Sequence, residues 1–199
     1  MAGKVEARRA SLKIKLLNAA ENAIAADGLA SLRARDLAKT AECSVGAIYN
    51  VFDDLDDLIL AVNGRTFQAL GEYVASQLAE TPDEGPTERL ITMSYAYMNF
   101  SVQHPNTWRA LFDVRMSTDM DPPQWYLDEL NRLLSIIAEQ IAKSFPDLDR
   151  EDIGLMTRAL FSSVHGIVLL GSENRISAVP QPILKRMISM MLTEVTTKI

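Results

Sequence analysis

The sequence predicts an all-α protein in which an N-terminal three-helix helix-turn-helix domain precedes a larger helical bundle. Three observations predict it. Apolar residues recur at three-to-four spacing through successive segments, the period of an amphipathic helix. Those segments are separated by Gly- and Pro-bearing breaks at Asp27-Gly28, TPDEGP (81–86), His104-Pro105, MSTDMDPP (116–123) and ENRISAVPQP (173–182). Within residues 31–52, SLRARDLAKTAECSVGAIYNVF, two short amphipathic runs stand four residues apart. With 199 residues and 48% hydrophobic content, the chain is long enough and apolar enough to bury a full core.

Residues 1–9 are polar and basic, with Lys4, Arg8 and Arg9. They read as a frayed, solvated tail, or as an arm whose charges fall on phosphates or in a minor groove. Over residues 11–26, Leu12, Leu16, Ala19, Ala20 and Ala23 line one helix face, and Asp27-Gly28 supplies the stop. Leu32, Leu37, Ala38 and Ala41 give the next short helix, and Val45, Ile48, Tyr49 and Phe52 the one after it. Ser44 stands where a hydroxyl accepts from free N–H groups two or three residues on and so marks a helix start. Val45, Gly46 and Ala47 are small enough to let that first turn approach a surface closely, and the Tyr49 phenol reaches a phosphate. This suits a helix docked end-first in a major groove.

Residues 28–60, GLASLRARDLAKTAECSVGAIYNVFDDLDDLIL, resemble the DNA-binding signature of the tetracycline-repressor (TetR) family of bacterial transcription regulators. Gly28, Ala38, Ala41, Ser44, Gly46, Tyr49, Phe52 and Leu58 fall on its marked positions. TRALFSSVHGIVLL (157–170) is similar to the C-terminal domain of a subgroup with a Trp-His-Gly triplet; here Val164 replaces the first member and His165-Gly166 remain. YMNFSVQHPNTWRALF (97–112) extends the likeness. The resemblance implies a dimeric regulator, usually a repressor, whose helices beyond the DNA-binding domain enclose an inducer pocket. Two positions depart from the pattern: Leu55 stands where the family usually has Lys, and Glu42 replaces the glycine of the turn. Both cost positive potential.

Charge is distributed as such a protein requires. The net value is −6, yet residues 1–52 hold eight Lys+Arg against five Asp+Glu, while residues 53–199 hold 12 against 21. A small basic end on an acidic body fits DNA contact through one face. One cysteine, Cys43, rules out an intramolecular disulfide and fits a reducing cytoplasm; packing is its expected role. Residues 1–20 lack an export signature and nothing later is expected to approach the roughly 20 apolar residues of a bilayer span. With only His104 and His165, and no phosphate loop, nucleophile elbow or zinc motif, neither an enzyme nor a bound cofactor or metal is expected. Asp53, Asp54, Asp56 and Asp57 read as helix caps rather than a cation site, lacking the spacing of a calcium loop.

A long helix over 56–80, with Leu58, Ile59, Val62, Phe67, Leu70, Val74 and Leu78 as its stripe, links a DNA-binding domain (1–55) to an effector-binding and dimerisation domain (56–199). Helices follow over 87–103, a shorter stretch around Trp108, 125–145, 149–172 and 182–196. Val45 and Ala47 offer apolar contacts to thymine methyls, and Asn50 reaches a base edge or phosphate. Arg33, Arg35, Lys39 and Tyr49 would position the backbone, with Ser44 and Gly46 opening the recognition turn. A two-fold dimer would then read an inverted repeat with half-sites about one helical turn, or a multiple, apart. The last two helices are expected to form the subunit interface, with Ile188 at its centre, because the 157–170 segment is apolar on more than one side.

Tyr95, Met98, Asn99, Trp108, Phe112, Met116, Trp125 and Tyr126 form either a well-filled core or the wall of a ligand pocket, with His165 and Asn99 as polar contacts. The acidic body favours a neutral or cationic hydrophobic effector. A dimeric ligand-sensing or adaptor protein that has lost DNA binding is the alternative, kept alive by Leu55, Glu42 and the Asp cluster.

Overall fold

The computed structural model describes residues 2–114, 122–172 and 178–197. Its regular structure there is helical throughout, as the sequence predicts: α1 (Ala2–Asp27), a 3-10 turn (Leu29–Ser31), α2 (Ala34–Thr40), α3 (Val45–Ile48), α4 (Leu55–Ala79), α5 (Pro86–Gln103), α6 (Pro105–Asp113), α7 (Gln124–Ser144), α8 (Arg150–Ser172) and α9 (Gln181–Thr197). The chain folds into two compact units. One is Met1–Gln68 with His104–Tyr126, and the other is Ala69–Gln103 with Leu127–Ile199.

In the first unit, α1 differs from its expected start. The basic stretch expected to fray is helical from Ala2, with residues 3–11 exposed; Ala, Glu, Arg and Lys are all strong helix formers and no proline interrupts them. Leu16, Leu17, Ala19, Ala20 and Ile24 turn inward. The helix ends where the Gly28 N–H bonds to the Ile24 carbonyl at 2.8 Å. Gly28 sits at φ 79°, ψ 170°, a conformation a side chain would make costly. Asn106 of α6 donates from Nδ2 to the carbonyls of Ala25 and Ala26 at 2.9 and 3.2 Å. Those carbonyls have no partner within α1, so α6 completes the end of that helix.

On the other side of this core, Arg65 of α4 reaches Glu21 and Asn18 of α1, both at 2.8 Å. Asn63 of α4 donates to the Ala110 carbonyl of α6 at 2.9 Å. The aspartate cluster caps α4 as expected: the Asp57 N–H bonds to Asp54 Oδ1 at 2.7 Å, and the Asp53 N–H bonds back to Asp57 Oδ2 at 3.3 Å. Leu55 packs half-buried against the core of this unit, so the contact made at this position is apolar.

In the second unit, α9 packs on α5 and α8. α8 and α9 approach closely at Gly171, since a Cβ there would clash with Leu184. α8 begins with the Asp149 carboxylate accepting from the Asp152 N–H at 2.9 Å. Against the expectation from sequence, the 22 residues Arg150–Gly171 are long and apolar enough to cross a bilayer by length and composition. In the fold this helix buries Thr157, Leu160, Val164, Val168 and Gly171, and exposes a stripe of Leu155, Ala159, Ser162 and Leu170 beside the charges of Asp152 and Arg158. Ile188, expected at the centre of a subunit interface, is 0% exposed within the protomer. It lies on the inward face of α9, whereas Ile183, Met187 and Met190 point outward.

Candidate nucleic-acid interface and ligand cavity

The turn between α2 and α3 sets the geometry of the candidate DNA face. Its hydrogen bonds run from the Cys43 N–H to the Ala38 carbonyl at 2.9 Å and from the Glu42 N–H to the Lys39 carbonyl at 3.3 Å. This paired pattern closes a helix through one residue in the left-handed conformation. That residue is Glu42, at φ 56°. In sequence Glu42 stands out only as an electrostatic departure. The backbone shows a second reason for glycine there, because a side chain at this position costs about 1–2 kcal/mol. The Glu42 carboxylate lies 3.4 Å from Lys15 Nζ with both groups exposed, a contact that offsets little.

Ser44 is the N-cap of α3, with extended backbone, and its carbonyl accepts from the Ala47 N–H at 3.0 Å. Its hydroxyl makes no capping bond, contrary to expectation. The start is where the sequence put it, but the hydroxyl is left on the surface. α3 is four residues long, and the Val51 and Phe52 N–H groups both continue its ladder to the Ile48 carbonyl at 2.9 Å.

One side of this turn is anchored: Ile48 and Phe52 are 0% and 2% exposed, each adding on the order of 1.5–3 kcal/mol by burial. The other side faces out, with Val45 38% and Tyr49 48% exposed and Ser44, Gly46 and Asn50 beside them. Ala47 is half-buried. A Cβ at Gly46 would meet nothing within 4 Å, so packing does not demand glycine; its effect is a surface without a protrusion. Arg35 and Lys39 are exposed on α2. Arg33 is exposed too, but its Nη1 donates to the carbonyls of Ala30 and Leu32, both at 2.8 Å, which ties it to the preceding turn.

The residues considered for a ligand pocket divide between the two units. Trp108, Phe112, Trp125 and Tyr126 belong to the first. There Trp108 stands edge-on to Phe112, and Tyr126 meets both Trp125 and Phe67; burial pushes the Tyr126 phenol pKa up. Met116 lies outside the described residues. Tyr95, Met98, Asn99 and His165 belong to the second. Tyr95 donates to the Lys185 carbonyl at 3.2 Å, and Asn99 accepts from Gln181 Nε2 at 3.1 Å, so both join α5 to α9. Met98 is fully buried. His165 Nδ1 is 2.7 Å from the Tyr97 hydroxyl, and its ring stacks on Phe161 at 6.0 Å. Burial lowers its pKa, which favours the neutral imidazole.

The second unit contains a cavity of about 50 Å³. Its walls come from Leu70 and Val74 on α4; Leu90, Met93, Ser94 and Tyr97 on α5; Leu133, Ile136 and Ile137 on α7; Leu160, Phe161 and Val164 on α8; and Leu192 on α9. None of the described residues considered from sequence lines it, though His165 touches its wall through Tyr97 and Phe161. The lining carries no charge. The Ser94 hydroxyl already donates to the Leu90 carbonyl at 2.8 Å, so the space suits an apolar guest. Sequence signals existed only in scattered form: a Phe161–His165 pair one turn apart on α8, and the aromatic run on α5.

Comparison with known proteins follows from this geometry. The profile described as "Tetracyclin repressor-like, C-terminal domain" matches residues 90–194, and "Bacterial regulatory proteins, tetR family" matches residues 16–62. Among solved structures, a protein of unknown function from Rhodococcus sp. RHA1 is 19% identical, with 94% of this chain and 96% of that one covered and a TM-score of 0.75. RolR in complex with resorcinol is 16% identical, with 96% and 90% covered and a TM-score of 0.69. A TetR transcriptional regulator from Rhodococcus sp. RHA1 is 16% identical, with 96% and 99% covered and a TM-score of 0.65. At these identities the likeness is one of fold. Among curated proteins none matches the chain significantly.

Proposed function

Because the chain belongs to the TetR family of bacterial regulatory proteins, we propose that it is a DNA-binding transcriptional repressor, a homodimer released from an inverted-repeat operator by a small hydrophobic ligand. The observation that carries this reading is the two-sided turn at α3, where buried Ile48 and Phe52 hold Val45, Gly46 and Tyr49 outward. A side chain as apolar as Val45 left exposed on an anchored turn, with Arg35 and Lys39 exposed on the preceding helix, has the composition of a major-groove reader. Residues 1–55 make the operator contacts, and residues 56–199 hold the effector and the second subunit. His165-Gly166 support placement in the Trp-His-Gly subgroup. A regulator of this kind works in the cytoplasm, where its operator is.

Subunits pair through the outward faces of α8 and α9, where Leu155, Leu170, Ile183, Met187 and Met190 are exposed and Ala159 and Ser162 let a second helix approach closely. The effector enters the charge-free cavity. At about 50 Å³ it is far smaller than the roughly 300–1,000 Å³ of drug-sized sites, so binding must widen it. RolR, of similar fold, was solved with resorcinol, and a guest of about that size suits these walls. A ligand that favours the widened state shifts the protein toward it only by its difference in affinity for the two states.

Footprinting on the chain's own promoter tests the reading. Protection of two half-sites is expected. Lys39→Ala should weaken binding at all sequences and reduce the salt slope by roughly 0.9, while Tyr49→Ala should remove protection with the fold intact. A folded dimer that protects no DNA would instead favour the adaptor reading.

A further inference from the structure

We propose that the first turns of α1 are a second DNA-contacting element, a stiff basic helix whose Lys4, Arg8 and Arg9 hold backbone phosphates next to the bases met by α3. The proposal rests on the reading of α3 as the groove-reading turn and assigns the residues that supply most of the electrostatic attraction beside it. Contacts along α1 fix where these residues stand. Near its C-terminal end Ala25 and Ala26 accept from Asn106 of α6, and in its middle Asn18 and Glu21 accept from Arg65 of α4. Nearer the N-terminus α1 meets the turn itself, where Lys15 Nζ lies 3.4 Å from the Glu42 carboxylate and Lys13 Nζ stands 5.5 Å from the centre of the Phe52 ring. Residues 3–11 continue past that level, all of them exposed. At about 1.5 Å per residue, the stretch from Lys13 back to Lys4 carries the helix about 13 Å further.

Charge is concentrated on the same stretch. Residues 1–52 hold eight Lys and Arg, of which five, Lys4, Arg8, Arg9, Lys13 and Lys15, are on α1. Of the three on the helix-turn-helix, Arg33 is tied to the Ala30 and Leu32 carbonyls, which leaves Arg35 and Lys39. Lys4, Arg8 and Arg9 make no ion pair among the described residues. They also continue the two rows that touch the turn: Arg9 is one helical turn before Lys13, and Arg8 and Lys4 stand 7 and 11 residues before Lys15. Glu6 is the one acid among residues 3–15, and Gly3, Ala7 and Ala10 leave the opposite side uncharged. The helical state decides between the targets open to a basic arm. A helix with its side chains is about 10–12 Å across and the minor groove about 6 Å wide, so this segment stays outside the groove. Arg and Lys held there meet phosphates, which adds affinity without telling one base from another.

Anisotropy titrations of the full chain, with a duplex of its own promoter and a random duplex of equal length, test the assignment; co-sedimentation with phosphatidylserine vesicles supplies a different polyanion. In the Lys4→Gln, Arg8→Gln, Arg9→Gln variant, affinity should fall by the same factor for both duplexes. The slope of log K against log salt should shrink by roughly 0.9 for each contact removed, about one and a half times the change from Arg35→Gln with Lys39→Gln, since three cations are lost against two. Hydroxyl-radical protection should shorten while guanine N7 protection within the half-sites remains. Melting curves and sedimentation establish that the variant keeps its fold and subunit pairing. Ala10→Pro, which keeps every charge but interrupts the helix, should lose part of the same affinity. A triple variant with the parent's salt slope, or one weakened on the promoter duplex alone, would overturn the proposal, as would Ala10→Pro that binds like the parent. Loss of vesicle binding with DNA binding unchanged would overturn it too and give these turns to an anionic membrane surface. A parent chain that binds neither duplex removes the reading of α3 itself, whereas a parent that binds no better than the triple variant removes only the contribution of α1.

Discussion

In the first compact unit, α2 and α3 are 7 and 4 residues long, and the side chains they turn outward follow one another along the chain from Arg35 to Asn50. In the second, the cavity is bounded by five helices, and its walls are spread from Leu70 to Leu192. Helices as short as α2 and α3 do not persist alone; they are held by a few buried anchors, and their candidate function lies in what is left outside. The bundle helices bury long apolar stripes, and the candidate function there lies in what those stripes fail to fill. A contact surface made from consecutive residues depends on its anchors. A cavity depends on mismatch among many residues, none of which is singly indispensable.

Removing an anchor is the largest test of this contrast. Phe52→Ala should cost about 3–5 kcal/mol in denaturant unfolding, because Phe52 is 2% exposed within one small core. Truncation of a half-buried wall residue such as Leu133 should cost less, since less of its surface is packed to begin with. Leu133→Ala, measured in the same way, sharpens the comparison; an equal loss would break it.

Inside and outside can next be separated on α9 alone. Ile188→Asp places a charge at a fully buried position and should unfold the bundle, at a cost of several kcal/mol or more. Met187→Asp, one residue away on the exposed face, should leave the melting curve of the protomer nearly unchanged and yield a monomer by sedimentation. A Met187→Asp dimer would move the subunit interface to another surface.

Smaller effects are expected at the turn. Glu42→Gly relieves the left-handed strain and removes a carboxylate from the exposed turn. It should raise stability by about 0.5–1 kcal/mol, the strain relieved less the added entropy of glycine in the unfolded chain, and tighten DNA binding at low salt. Unchanged stability would mean that the turn carries no strain.

The smallest expected effect is a pH dependence in the bundle. The folded pKa of His165 lies below its ordinary value of 6.5 because burial disfavours the imidazolium. The unfolded chain therefore takes up protons first, so this contribution to stability is constant above about pH 6.5 and is lost as pH falls through that value toward the folded pKa. His165→Gln should flatten that limb of the stability curve. The exposed turn at α3 carries no histidine, so variants there such as Tyr49→Phe should retain the limb.

The same contrast explains what was legible in the sequence. Helix existence and approximate limits followed from apolar periodicity and from Gly and Pro, and the outward position of Val45, Gly46 and Tyr49 followed from spacing against Ile48 and Phe52. Each is a local property. The left-handed state of Glu42 was signalled only by its departure from a familiar glycine. The fully buried position of Ile188 was not legible, because both faces of α8 and α9 are apolar and periodicity cannot say which one meets the same protomer. The cavity was least legible: aromatic and Met content marked Trp108, Trp125 and Tyr126, which fill the first unit, while the walls proved to be mostly aliphatic residues such as Leu133, Ile136 and Leu160, indistinguishable in sequence from an ordinary core.

The interrupted course of the chain through the first unit bears on how such proteins recombine. Residues 1–68 are completed by a segment that returns at His104 and leaves again after Tyr126, and Asn106 on that segment satisfies the last carbonyls of α1. A single crossover after the helix-turn-helix would therefore deliver a head without its matching α6, leaving foreign side chains to close the end of α1. New pairings of operator and effector within such a lineage would arise more readily by point substitution on the exposed turn than by exchange of whole domains. An engineer building a chimera would need to graft both segments together.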